Sequence, residues 1–62
     1  MNFSEALYLL RQNKLIKRAA WQEHYLKIEC GEIVLKTVGQ PDCEACELDS
    51  IDLLALDWYC IE

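Results

Sequence analysis

Tyr25-Leu26-Lys27-Ile28-Glu29-Cys30-Gly31-Glu32-Ile33-Val34-Leu35-Lys36-Thr37-Val38 is the stretch whose reading decides the fold. Leu26, Ile28 and Cys30 alternate with Tyr25, Lys27 and Glu29, which is the two-residue period of a half-buried strand. Gly31 supplies a turn, and Glu32 to Val38 returns with Ile33, Leu35 and Thr37 opposite Val34, Lys36 and Val38. The spacing predicts a β-hairpin. Both sides of its return strand carry apolar residues.

Working outward toward the start, Asn2 and Glu5 have the spacing of a capping box, in which each side chain accepts from a backbone N–H at a helix start. Phe3, Ala6, Leu7 and Leu10 then fall on one helical stripe, Arg11 and Lys14 suit the negative end of the helix dipole, and Asn13 is a suitable stop. A helix over 3–12 is expected. Leu15 to Trp21 reads as a strand, with Gln22 and Glu23 in the turn after it. Beyond the hairpin, Gly39, Gln40, Pro41 and Asp42 break the pattern, and 43–47 reads as loop.

Asp49 and Asp52 repeat the capping spacing, and Ile51, Leu54, Ala55 and Trp58 lie at helical intervals, so a second helix over 50–57 is expected with that stripe inward. Leu53 and Leu56 then form a surplus apolar face, a sign of an interface between copies. Residues 58–61 have the make-up of a last strand. The fold class is therefore α+β: an N-terminal helix, an antiparallel sheet of three to four strands, and a short second helix before a C-terminal strand, in a single domain over 1–62.

A 62-residue chain buries only about 60% of the surface that its unfolded form exposes, so support from oligomerisation, a metal or disulfides is expected. Residues 1–31 carry five bases and three acids, whereas 32–62 carry Lys36 alone against eight acids, for a net charge of −5. Such a balance argues against generic nucleic-acid binding, which depends on neutralised phosphates. No apolar run is long enough to cross a bilayer, and the opening has no secretory pattern, so a cytoplasmic protein with reduced thiols is expected.

Cys43 and Cys46 have the spacing with which two thiolates share a zinc ion. The second pair is missing, since Cys30 and Cys60 stand alone, with His24 as a substitute ligand. The four cysteines therefore read first as unpaired small hydrophobes, and zinc held by Cys43, Cys46, Cys30 and Cys60 is the lesser alternative. A redox role for the pair is weaker still, because the segment that follows is acidic. His24 reads as a solvated loop residue, no catalytic spacing emerges, and there is no glycine-rich phosphate loop. No enzyme activity and no cofactor are expected. Trp21, beside Lys17 and Arg18, reads either as packing or as a stacking face next to phosphate-pairing cations.

Three segments resemble the Thoeris anti-defense 2 family of small phage and prophage proteins. They are Met1-Asn2-Phe3-Ser4-Glu5-Ala6-Leu7, Lys17-Arg18-Ala19-Ala20-Trp21 and Asp52-Leu53-Leu54-Ala55-Leu56-Asp57-Trp58. They cover both ends of the chain but not its middle, and the last is the most specific. The resemblance implies a sponge that sequesters a cyclic nucleotide-type immune signal, such as a cyclic ADP-ribose isomer, between subunits of a homo-oligomer without cleaving it. It also implies ligand contacts at Trp21 as stacking platform and at Arg18 as phosphate partner, with Lys17 beside them. Gln22-Glu23-His24 stands where family members carry Asn-Gly-Lys-Gly, and their longer central insertion is missing. The alternative reading is an anti-CRISPR-like or regulatory protein that binds a host protein through its acidic half, Glu44, Glu47, Asp49, Asp52 and Asp57.

Overall fold

A computed structural model describes residues 1–46 and 48–61, apart from the side chain of Cys43. Helix α1 spans Phe3–Leu10. Both halves of the expected capping box are present, with the Glu5 N–H donating to Asn2 Oδ1 at 2.9 Å and the Asn2 N–H donating to Glu5 Oε1 at 3.2 Å. The helix ends two residues earlier than expected. Asn13 takes the left-handed conformation at φ 64°, and the N–H groups of Asn13 and Lys14 turn back to the carbonyls of Leu10 and Leu9.

The strands are β1 (Ile16–Arg18), β2 (His24–Glu29), β3 (Glu32–Thr37), β4 (Cys43–Ala45) and β5 (Trp58–Cys60), with α2 (Ser50–Leu54) between the last two. They form one antiparallel sheet in the order β4-β3-β2-β1-β5. The hairpin forms as expected, with Leu26 opposite Leu35 and Ile28 opposite Ile33. Cys30 and Gly31 both have positive φ, 55° and 79°, the pattern of a tight hairpin turn whose twist matches the strands.

Three expectations about the elements need correction. Residues 43–45, read as loop, pair with β3 and bring the sheet to five strands instead of three to four. The strand expected over 15–21 stops at Arg18, because the Ala19 N–H is captured by the Asp57 carbonyl and the Trp21 N–H closes a turn onto the Arg18 carbonyl. Trp21 thus sits on a turn. Helix α2 runs for five residues before Ala55 becomes extended, too short to sustain a helical stripe. Of the four side chains expected inward, Trp58 is 1% exposed and Ala55 packs against the core, whereas Ile51 and Leu54 are 72% and 79% exposed.

The core lies between α1 and one face of the sheet. Ala6 and Leu10 from the helix meet Ile16, Leu26 and Trp58 from the strands, all fully or almost fully buried. Burying a side chain of this size contributes about 1.5–3 kcal/mol, and there are few of them. The Met1 nitrogen donates to the carbonyls of Leu56 and Trp58, and the Trp58 N–H donates to the Met1 carbonyl, so the segment before α1 is stitched to β5. No helix among the described residues is long and apolar enough to cross a membrane.

Candidate functional site

Trp58 is the centre from which the site is built. It begins β5 opposite Arg18 of β1, and its indole meets Phe3 of α1 at a centroid distance of 5.1 Å and Trp21 edge-on at 5.2 Å. Offset and edge-to-face contacts of this kind suit the ring quadrupoles. The Trp58 Nε1–H donates to the Asp52 carbonyl at 2.9 Å, which ties α2 to the cluster. Asp52 is held in turn at the start of α2, where its N–H donates to Asp49 Oδ1.

Arg18 closes the arrangement. Its Nε–H donates to Asp57 Oδ1 at 2.8 Å, its Nη1–H to Asp52 Oδ1 at 2.7 Å, and its Nη2–H to Asp57 Oδ2 at 3.4 Å. The Asp57 pair is two-pronged, the geometry in which a guanidinium grips a carboxylate most firmly. Arg18 is drawn further toward its charged form by Asp57 first and Asp52 second, against some desolvation. The hydrogen bonds from Arg18 hold the Asp57 carboxyl below the usual carboxylate range. Arg18, expected to serve a phosphate, is thus largely spent on two carboxylates, and a phosphate on those donors would have to displace one.

The expected trio is only partly brought together. Arg18 and Trp21 lie on the α1 side of the sheet with Trp58. Lys17, one residue before Arg18 in the strand, projects to the opposite side, where its neighbour on β5 is Tyr59. The Lys17 ammonium still reaches the loop that carries the indole, donating to the Gln22 carbonyl at 3.3 Å. Trp21 is half-buried, in T-shaped contact with Trp58 and with part of its surface open. Sequence reasoning missed Asp52, Asp57 and Trp58 as members of this cluster.

The three cysteines with described side chains do not gather. Cys30 sits on the hairpin turn, Cys46 follows β4 and Cys60 lies in β5, and no group of three or more His, Cys, Asp or Glu among the described residues is placed to hold a metal ion. The Cys43 side chain falls outside the described part. Burial pushes the Cys46 thiol up, with the Asp52 charge adding to it, which keeps it protonated and unreactive. His24 begins β2 instead of lying in a turn and shares a hydrogen bond with Thr37 Oγ1 across the hairpin at 3.0 Å. A shallow depression of about 400 Å³ runs along the start of α1, lined by Met1, Asn2, Ser4, Glu5, Tyr8 and Leu9, and includes none of the expected ligand residues.

The three segments singled out in the sequence therefore meet in one cluster, Phe3 from the first, Arg18 and Trp21 from the second, and Asp52, Asp57 and Trp58 from the third. A family model, described as Thoeris anti-defense 2-like domain, matches residues 1–61. The chain belongs to the Thoeris anti-defense 2-like family. The match includes the hairpin and β4, which lie outside the three segments of resemblance. Membership places the chain in phage counter-defence. A comparison with curated proteins finds no match.

Around the cluster of this anti-defence domain lies uncovered apolar surface. Leu53 and Leu56, the expected interface residues, are 47% and 76% exposed. They continue the exposure of Ile51 and Leu54 on the segment that Trp58 and Arg18 anchor. The alternative acidic surface is thinner than its sequence suggests, because Asp52 and Asp57 are engaged by Arg18. Glu47 lies outside the described residues.

Proposed function

We propose that this chain is a non-enzymatic counter-defence protein of the host-cell cytoplasm that sequesters a cyclic nucleotide-type immune signal, of the cyclic ADP-ribose class, where copies of the chain meet beside Trp21. The observation that carries the reading is a half-buried indole in T-shaped contact with Trp58, whose own indole anchors the segment that exposes Ile51, Leu53, Leu54 and Leu56. An indole braced by a neighbouring ring can stack on a base at small entropic cost. A second copy covering Leu53 and Leu56 would bury that face and exclude water from it.

Within this reading Lys17 is a phosphate partner that reaches around the strand, since among the described residues its ammonium is held by a single carbonyl of the loop that carries Trp21. Arg18 contributes through whatever donors the two aspartates leave, and its main work is to fix the turn that presents Trp21. Nothing in the cluster resembles a nucleophile beside a base, so a bound ligand would be held intact.

The test is a thermal-shift panel of cyclic dinucleotides and cyclic ADP-ribose isomers, with chemical analysis of the ligand released on denaturation. A rise in melting temperature with intact ligand recovered is expected for the unmodified chain. Trp21→Leu, which keeps apolar packing against Trp58, should lose the rise. A flat melting temperature across the panel at millimolar ligand would remove the reading.

A further inference from the structure

The segment that exposes Ile51, Leu53, Leu54 and Leu56 has little of its own to hold it. Helix α2 is five residues long with no buried side chain, and between 49 and 56 only Asp52 and Ala55 are half-buried, the rest being exposed. A helix this short is not stable by itself. At the far end of the segment the Leu56 carbonyl accepts from the Met1 nitrogen. At the helix the fastening falls on Asp52.

Both the backbone and the carboxylate of Asp52 are engaged. Its N–H donates to Asp49 Oδ1 at 3.1 Å and its carbonyl accepts from the Ala55 N–H at 3.2 Å, bonds that close α2 on itself. Two further bonds reach out of the helix, from Trp58 Nε1 to the Asp52 carbonyl at 2.9 Å and from Arg18 Nη1 to Asp52 Oδ1 at 2.7 Å. The Arg18 and Asp52 side chains are 17% and 18% exposed, against 36% for Asp57, so this pair is the better sheltered and the less screened by salt.

Both outward bonds lead to Trp21. Arg18 accepts the Trp21 N–H on its own carbonyl at 3.0 Å, and the Trp58 ring meets the Trp21 ring at 5.2 Å. Asp52, Arg18, Trp21 and Trp58 thus form a closed ring of contacts drawn from α2, the turn after β1, and β5. Neither the turn nor α2 can shift against the other unless two of these contacts give way together. Asp57 grips the same guanidinium from the residue before β5, which holds the turn to β5 instead of to α2.

We infer that Asp52 is a positioning residue whose carboxylate, on Arg18, couples the indole turn at 19–21 to the apolar segment, each holding the other in place. The inference rests on the reading that a ligand lies against Trp21 where a second copy covers the segment, and adds what keeps the two surfaces in register. Ordering one surface lowers the entropic cost of ordering the other. Ligand capture at Trp21 and covering of the segment therefore favour each other, by the same factor in both directions.

The test is amide hydrogen exchange, read residue by residue by NMR on the full chain, with cyclic ADP-ribose titrated in parallel. Asp52→Asn keeps the size and the backbone bonds of the side chain's residue and removes its charge. It should speed exchange of the Leu53 and Ala55 amides in α2 and of the Trp21 amide in the turn by one common factor, about tenfold, as expected of a single opening unit. The amides of β2 and β3 should keep their rates, and affinity for cyclic ADP-ribose should fall in the same proportion. Asp49→Ala removes the cap of α2 and leaves Arg18 untouched, and it too should speed all three amides. Added to Asp52→Asn, it should speed Leu53 and Ala55 further and leave Trp21 at the rate of Asp52→Asn alone. Faster exchange in α2 with Trp21 unchanged would reduce Asp52 to a helix anchor and overturn the proposal. Unchanged exchange throughout, a rise shared by the hairpin, or equal ligand affinity in the two chains would overturn it as well. If the unmodified chain binds no cyclic ligand, the sponge reading fails, and the exchange rates alone still decide whether Asp52 couples the two surfaces.

Discussion

At the scale of single residues, Arg18 and Trp58 decide whether the indole loop has a fixed position. The Asp57 carboxyl is held below its usual range by Arg18, so its contribution to stability is complete above the unfolded value, about pH 4, and is lost as pH falls through the lower folded value. Urea titrations between pH 7 and pH 2 should show that decline, and Asp57→Asn should be less stable at neutral pH and flatter toward acid. An acid limb as steep in Asp57→Asn as in the unmodified chain would show that other carboxylates carry it. Trp58→Ala should cost about 3–5 kcal/mol by urea denaturation, whereas Trp58→Phe, which keeps the ring packing but gives up the bond to the Asp52 carbonyl, should cost about 1–2 kcal/mol. The aromatic at position 21 was legible in the sequence as a residue worth weighing. Its partners were not, because Arg18 and Asp57 are 39 residues apart, and charges that far apart in sequence read as independent solvated groups until the sheet joins them.

At the scale of elements, legibility followed how local the determining contacts are. The capping box and the hairpin could be read because their partners lie within a few residues, Asn2 with Glu5 and Cys30 with Gly31. Strand β4 could not, since Cys43, Glu44 and Ala45 have no alternating pattern and pair only because β3 offers an edge. Helix α2 misled in the other direction: its helical spacing suggested an inward stripe, but at five residues the element ends before that stripe can form. The hairpin turn yields a prediction of its own. Cys30 holds φ 55°, a region that costs a side chain other than Asn, Asp or Gly about 1–3 kcal/mol. Cys30→Asn should therefore raise stability by up to about 1 kcal/mol, measured as a higher urea midpoint with an unchanged slope. A lower midpoint would mean that the thiol makes a packing contribution at the turn.

At the scale of the whole molecule, the question is how so small a core holds five strands and two helices. The described core consists of Ala6, Leu10, Ile16, Leu26, Val34 and Trp58, and a chain this short buries a smaller share of its surface than a larger domain does. Meanwhile Ile51, Leu53, Leu54 and Leu56 remain 47–79% exposed on a segment that Arg18 and Trp58 hold rigidly in place. A rigid apolar surface loses little entropy when it is covered, so association of copies through this segment would add stability where the single subunit lacks it. Mass action then makes stability depend on concentration. The melting temperature should rise over a hundredfold increase in protein concentration, and sedimentation equilibrium should report a mass above that of one chain. Leu54→Glu together with Leu56→Glu, both at solvent-exposed positions, should abolish the concentration dependence and reduce the mass to a single chain while circular dichroism at high concentration still shows folded protein. If the unmodified chain instead sediments as a monomer with a melting temperature independent of concentration, the apolar segment is uncovered by design, and the ligand face at Trp21 must be complete within one subunit.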